Sequence, residues 1–279
     1  MSLTNKAIWT IERNLAEPLA LLDLAAACDV SRSHLAHAFG AVTELSVMQY
    51  VRGRRLSEAA RSLATGDAPD ILSLALDAGY GSHEAFSRAF RAQFHTTPEM
   101  VRRNKTVKGL AMINAMKASE AAGTKLAPPK FVSGPAMLFV GLAQRQSFAA
   151  TQEIPGQWRR FMAAYEDIPN KVTPIPFGIS TNIDEDGNFE YMCGVQVSDA
   201  SDLPKGLSKL SAPAQRYAIF QHLDHVSKIA ATYSAIWNDW LPAHAHRVAD
   251  GPCLERHLET FDPLTGLGGV EIWIPIEER

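Results

Sequence analysis

A short apolar helix, a tight turn and a second helix with one buried stripe occur twice within the first hundred residues. No other feature of the chain restricts its fold as much. The second copy is Ala78 to Arg103, AGYGSHEAFSRAFRAQFHTTPEMVRR. Gly79 suits the positive φ of an inter-helix turn, and Ser82 is a good N-cap. Phe86, Phe90 and Phe94 recur every four residues, which puts them on one face of a helix. His83, Glu84, Ser87, Arg88 and Arg91 fall on the other side. Pro98 is placed to start another helix. In the first copy Leu22, Leu24, Ala25, Val30, Ser31, Leu35 and Phe39 correspond to Leu72, Leu74, Ala75, Tyr80, Ser82, Phe86 and Phe90, the second copy carrying one extra turn residue. A lone helix of this kind is most often an ordinary amphipathic surface helix. Two helix-turn-helix units in tandem are a device for reading DNA, each second helix lying in a major groove.

Between and around the copies the pattern predicts a first helix over Asn5–Asn14, with Ile8, Trp9 and Ile11 inward. Leu21–Cys28 is the first positioning helix, Asp29–Val30 the turn and Ser31–Phe39 the first recognition helix. Leu35, Ala38 and Phe39 should be buried there, and Arg32, Ser33, Ala36 and His37 exposed toward a groove. A long helix over Val47–Ala64 joins the units, with Arg52, Arg54, Arg55 and Arg61 solvated or near phosphate and Gly66 and Pro69 ending it. Ile71–Ala78 positions the second recognition helix. With both units on one rigid body, a subunit reads two groove segments about one helical turn, ~34 Å, apart.

Ala16 to Arg103 resembles the tandem helix-turn-helix domain of the AraC/XylS family of bacterial transcription regulators. The resemblance rests on Ser31, Leu35 and Phe39, on RRLSEAARSL (Arg54 to Leu63), on AGYGSHEAFSRAF and on TPEMVRR. It is nearest to the Rob subgroup. The family's Gly-x-x-Pro after the first recognition helix reads Glu44-Leu45-Ser46-Val47, and its Gly before the final Thr-Pro is His95. The resemblance implies DNA contact by Arg32, Ser33, Ala36 and His37 in the first unit. In the second it implies Ser82, His83, Glu84, Ser87 and Arg88. Ser33 and Ala36 are small, which favours apolar or shape readout in one half-site. Glu84 suits cytosine N4, and Arg88 guanine or phosphate.

Charge supports this only by its placement. Through Lys108 there are 13 Lys and Arg against 11 Asp and Glu; the remainder of the totals, 27 and 30, leaves 14 against 19. The front is weakly basic and the rear acidic. No apolar run approaches the ~20 residues that span a bilayer, and the N-terminus lacks a signal pattern, so no membrane partner and a cytoplasmic location are expected. Cys28, Cys193 and Cys253 are far apart, which fits a reducing compartment without disulfides.

From Thr106 to Ala127 the chain reads as a connection, part of it helical. Beyond Lys130 the pattern changes. Strands are expected over Ala136–Gln146, Pro176–Thr181, Phe189–Val197, Arg216–Leu223, Cys253–Glu259 and Gly269–Ile276. Helices are expected over Ile154–Tyr165, with Trp158, Phe161 and Met162 inward, and over Val226–Leu241, with Ile229, Tyr233, Ile236 and Trp237 inward. The order is β-α-β-β twice, which predicts two similar halves about a pseudo-two-fold axis with a groove between them. The fold class is thus α+β in two domains: residues 1–108 all-α, 109–129 a linker and 130–279 the duplicated β-α-β-β domain.

QWRRF (Gln157 to Phe161), PCLERH (Pro252 to His257) and the closing GVEIWIPI resemble the GyrI-like ligand-binding domain, found in multidrug-sensing regulators. Alternation puts Cys253, Glu255 and His257 on one strand face, and Glu271 and Trp273 share a face of the closing strand. By resemblance Glu255 is the acidic residue of the pocket and His257 stands where many relatives have Tyr. Trp158, Tyr191 and Trp273 are candidate walls. An acid among aromatics suits a lipophilic, cationic small molecule. His222 with His225, and His244 with His246, have spacings that metals use, but no further ligand completes either set, so neither metal nor cofactor is expected. The leading reading is a ligand-responsive, non-enzymatic DNA-binding regulator. The alternatives are a GyrI-like small-molecule hydrolase with Glu255 as acid or base, and a module that grips a protein such as RNA polymerase.

Overall fold

A computed structural model of the chain describes residues 1–68, 70–116, 124–244 and 246–277. Pro69 and Gly123, which figured in the expected helix stop and connection, lie outside the described residues.

The front of the chain is seven helices: α1 Leu3–Arg13, α2 Leu21–Cys28, α3 Arg32–Thr43, α4 Val47–Thr65, α5 Ile71–Asp77, α6 His83–Phe94 and α7 Pro98–Asn104. Their starts are written in single side chains. Ser31, Ser46, Asp70, Ser82 and Thr97 each accept a hydrogen bond from the backbone N–H three residues on, satisfying one of the donors that a helix N-terminus leaves free. Ser46 and Gln49 form a complete capping box. Four helices stop at a non-glycine residue with left-handed backbone: Asp29, Glu44, His95 and Lys105. Two of these, Glu44 and His95, are the positions where the resembled family carries glycine. α3 runs one turn beyond the expected Phe39, because nothing before Glu44 interrupts it.

The two helix-turn-helix units close around different apolar clusters. α5, α6, α7 and the second half of α4 close around Phe86, Phe90 and Phe94. α1, α2, α3 and the first half of α4 close around Leu24, Leu35, Phe39 and Tyr50, and this centre continues into the rear of the chain. Trp9 departs from the expectation. It is 55% exposed, with the Arg13 guanidinium 5.1 Å from its ring centroid, so the inward stripe of α1 is Leu3, Ala7, Ile8 and Ile11.

Arg54 also departs from its expected solvated position. Its side chain is 6% exposed and makes a two-pronged pair with Glu12, both contacts at 2.8 Å, and a third with Glu58. It also donates to the Ile113 carbonyl. The connection after α7 has no helix in its described part. It lies along α4, where the Ser57 hydroxyl accepts from Ile113 N–H at 2.9 Å and the Tyr50 hydroxyl accepts from Met116 N–H at 3.1 Å.

The rear is one antiparallel sheet with two helical segments. Its elements are β1 Lys130–Gly134, β2 Met137–Ser147, α8 Ile154–Ala164, β3 Lys171–Thr181, β4 Asn188–Val197, β5 Ser208–Ala212, β6 Gln215–His222, α9 Ile229–Ala235, α10 Leu241–His244, β7 Cys253–His257 and β8 Val270–Ile276. Between α9 and α10 the helix widens into a π-turn over Ile236–Trp240. The strand order β1-β6-β8-β7-β3-β4-β2-β5 is palindromic. Exchanging β1 with β5, β2 with β6, β3 with β7 and β4 with β8 returns the same sheet, so the expected pseudo-two-fold passes between β3 and β7. The repeating unit is β-β-α-β-β, longer than expected by β1 and β5. Both are short, polar strands whose order comes from pairing with the opposite half, β1 with β6 and β5 with β2. In α8 Phe161 is buried, whereas Met162 is 43% exposed and does not point inward as expected.

Arg54→Met should cost about 3 kcal/mol in denaturant unfolding, because the carboxylate of Glu12 is left half-buried without its cation. Arg54→Met combined with Glu12→Gln should recover part of that loss.

Candidate functional site

The two recognition helices meet different fates. α6 turns its phenylalanine stripe inward and leaves Glu84 and Arg88 exposed, with Ser87 half-buried. Glu84, Ser87, Arg88, Arg91 and Ala92 line a shallow concavity of about 400 Å³ on its outer face. Ser82 caps the helix, and His83 lies 3.4 Å from Glu99 of α7. Of the expected DNA-contact residues of this unit, Glu84 and Arg88 are thus open to solvent, Ser82 and His83 are half-exposed, and the Ser87 hydroxyl is buried. Glu84, in the first turn, has its carboxyl held below the usual range by backbone N–H at the helix start and by Ser82, so it stays an acceptor there.

α3 is covered. Arg32 and Ser33 are exposed, but Ala36 is 4% exposed. The His37 ring is stacked on Trp237, with centroids 4.5 Å apart and planes 8° apart, and Phe148 meets it edge-on. The expectation that Ala36 and His37 face solvent is thus corrected: the rear of the chain lies on them. Polar contacts fix the arrangement. His34 donates from Nε2 to the Trp237 carbonyl at 2.8 Å. The Asn238 side chain accepts from Thr4 N–H and donates to the Ala38 carbonyl. Gly40 sits one turn after His37, and a Cβ there would stand 2.3 Å from the Phe148 ring, so only glycine allows this approach. Burial, then the neighbouring His34, pushes the His37 imidazole down to about 4.

The second site is built around Glu255 on β7. The Tyr191 hydroxyl, from β4, donates to Oε2 at 2.7 Å, and the Tyr233 hydroxyl, from α9, donates to Oε1 at 2.8 Å. Trp158 of α8 donates from Nε1 to the Tyr191 oxygen at 3.3 Å. The Trp158 ring stacks on His257 at 4.7 Å, and the Phe261 ring meets His257 at 4.0 Å with the planes tilted by 33°. A Cβ at Gly178 would lie 2.2 Å from the Tyr191 oxygen and 2.7 Å from Glu255 Oε2, so the carboxylate and phenol rest on bare backbone. Burial raises the Glu255 carboxyl, opposed by the two tyrosines. Burial and Glu255 together raise both phenols far above their ordinary range. Among the described residues no Lys or Arg forms an ion pair with Glu255. The site is an acidic group in an aromatic box, solvated by neutral donors.

Four of the five expected ligand-site residues, Glu255, His257, Trp158 and Tyr191, come together here. Trp273 does not. β7 and β8 are in register with Glu255 opposite Ile272 and Leu254 opposite Trp273. Trp273 therefore points to the other sheet face, where it packs on Tyr217. Alternation within each strand is visible in sequence, whereas the register between strands is not. Tyr233 and Phe261 were missed. The helical spacing of Tyr233 indicates a core side chain, but a buried tyrosine hydroxyl needs a partner, and Glu255 is that partner. Phe261 follows β7 in a turn and carries no periodic signal.

The His222 ring is satisfied by the Thr232 hydroxyl and the His225 carbonyl, a core arrangement. Among the described residues no group of three or more His, Cys, Asp or Glu is arranged to hold a metal ion.

Comparison with known proteins bears on both sites. Residues 127–277 match the GyrI-like small molecule binding domain, and residues 24–104 match a helix-turn-helix domain. The right origin-binding protein of Escherichia coli K12 is 31% identical over 271 residues, covering 93% of this chain and 91% of that protein. The regulatory protein SoxS of the same strain is 39% identical over 88 residues, 32% of this chain and 81% of its own. The transcriptional regulator BrlR of Pseudomonas aeruginosa is 30% identical over 149 residues, 53% of this chain; the match spans only 54% of BrlR.

His257 gives the site a pH signature. Burial pushes its imidazole from 6.5 to about 4. The unfolded chain therefore takes up a proton below about pH 6.5 that the folded chain refuses until about pH 4. Stability falls as pH drops through that window, by about 2 kcal/mol between pH 7 and 5 from this residue. Melting curves of His257→Phe at the two pH values should show a smaller difference than those of the parent.

Proposed function

Since this chain belongs to the AraC-type helix-turn-helix transcription regulators that carry a GyrI-like small molecule binding domain, we propose that it reads one DNA duplex with α3 and α6 and tunes that reading to a lipophilic cation held at Glu255. The DNA-reading part is taken as residues 1–108, the sensing part as 130–279 and the strap along α4 as their link. Arg32, Ser33, Ala36 and His37 serve one groove segment. Ser82, His83, Glu84, Ser87 and Arg88 serve the next, about one helical turn away. Its place is the bacterial cytoplasm, with the DNA, and contact with RNA polymerase is the route by which it alters transcription.

The observation that carries the ligand reading is the state of Glu255. A buried carboxylate is costly unless paired, and here both its oxygens are bonded only to neutral phenols. A flat cation that parts the stacked Trp158 and His257 rings supplies the missing charge and takes over the ring contact at once. The same chemistry supports a non-enzymatic reading. Both carboxylate oxygens are occupied. The two nearby thiols, Cys193 and Cys253, are pushed up by burial and by Glu255, the latter to about 12, so neither is a nucleophile near neutral pH.

Two outcomes test this. In vitro selection of random duplexes should enrich two boxes one helical turn apart. On such a site Arg88→Ala should weaken binding by about 1–3 kcal/mol in a footprint titration; unchanged binding removes Arg88 from the contact set. In the rear, Glu255→Gln should lower the affinity for a quaternary aryl cation by at least tenfold and leave an uncharged analogue of the same shape nearly unaffected. Equal losses for both would show that charge is not the basis of recognition.

A further inference from the structure

We infer that the structure is a self-masked form of the regulator, in which the rear helix occupies the groove-reading face of α3, and that this helix is set by whatever occupies Glu255. The inference rests on the regulator reading above and goes beyond it.

The masking is geometric. Residues 33, 36, 37 and 40 share one side of α3 by helical spacing. Ala36 is buried, His37 is stacked on Trp237 and Gly40 is against Phe148. A groove edge and an indole ring cannot both lie on His37. The contact is a built one. Trp237 is 1% exposed, its carbonyl accepts a hydrogen bond from His34 Nε2, and the next residue, Asn238, ties α1 to α3 through Thr4 and Ala38. Nearby, Arg52 of α4 pairs with Asp186 of the turn between β3 and β4 at 2.6 Å. Among the described residues nothing covers α6 in this way, so one of the two reading helices is withheld and the other is open.

The link to the acidic site is one helical turn long. Tyr233 and Trp237 lie four residues apart on the same helix. Tyr233 holds Glu255 Oε1, and Trp237 holds His37. Between and beyond them the helix changes from α to π over Ile236–Trp240, a local irregularity of the kind found at functional sites. A cation that draws Glu255 away from the Tyr233 hydroxyl removes the bond that sets the rotation and height of this helix. Trp237 moves with it.

The test uses the full chain and a selected duplex. Trp237→Ala removes the masking ring. Gly40→Ala adds a methyl group that the closed form cannot hold, improves helix propensity and meets the rear at the Phe148 ring, not at Glu255 or its tyrosine partners. Both variants should bind the duplex at least tenfold more tightly than the parent. Hydrogen exchange of the α3 amides should speed up in both, with α6 unchanged. Tyr233→Phe keeps the ring and deletes only the bond to Glu255. It should speed α3 exchange several-fold and raise DNA affinity in the same direction. Unchanged affinity in both masking variants, with the parent already binding tightly, overturns the masking and leaves the regulator reading intact. Unchanged α3 exchange in Tyr233→Phe overturns the link to Glu255. Failure of every form to bind any duplex, although α3 exchange has risen, overturns the regulator reading and the inference with it.

Discussion

The contact of Trp237 with His37 is the interaction on which the relation between the two halves depends. It lies in a continuous apolar cluster that includes Leu24, Leu35 and Phe39 from the front and Phe220, Ile236, Ile272 and Ile274 from the rear. The first helix-turn-helix unit therefore has no separate core of its own in this form. The second does, around the three phenylalanines of α6. The division follows from the long helix α4, which passes from one cluster to the other: Tyr50 and Val51 belong to the first and Leu56 to Leu63 to the second. One unit is held by the sensing half, and the other projects from it.

That asymmetry explains which features the sequence reveals. The tandem units, their caps and the buried stripes are local properties. Ser31, Ser82 and Pro98 announce helix starts, and the four-residue spacing of Phe86, Phe90 and Phe94 fixes a buried face wherever that helix packs. The duplication of the rear half is legible for the same reason. The exposure of Ala36 and His37 is different, because it depends on a residue two hundred positions away. Nothing in SRSHLAHAFG distinguishes a helix face kept for DNA from one shared with a second partner, since small residues and a histidine suit both. Gly40 was the one local hint: a glycine inside a helix costs about 1 kcal/mol relative to Ala and calls for a close neighbour, here Phe148.

The Glu255 site was legible in part for a related reason. Its residues come from β4, α8, α9 and β7, and the resemblance of their sequence segments gathered four of them. The error at Trp273 and the omission of Tyr233 are both matters of register and partner choice. A one-residue slip between β7 and β8 would reverse the faces of every residue on β8, and the pattern VEIWIPI reads equally well in either register. Only the pairing of Glu255 with Ile272 decides that the indole lies outside the box.

The strength of the masking contact is bounded from both sides. To carry a two-state equilibrium from 1:99 to 99:1 a ligand must favour one state by about 5.5 kcal/mol. A drug-sized molecule offers about 0.3 kcal/mol per heavy atom, so its whole affinity is of that order, and only the part that differs between states does work. Complete separation of the halves would expose Trp237, Ile236, Leu241 and the front residues against them, each worth about 1.5–3 kcal/mol when buried. Those residues together exceed what such a ligand can supply. Opening by ligand alone must therefore be local: a shift of the π-turn that withdraws the Trp237 ring and leaves most of the shared core in place. Any wider separation must draw its free energy from the duplex, through the phosphate and base contacts that α3 gains when it is uncovered. Ligand and DNA then act on the same helix turn from opposite ends, and each raises the affinity of the other by the same factor.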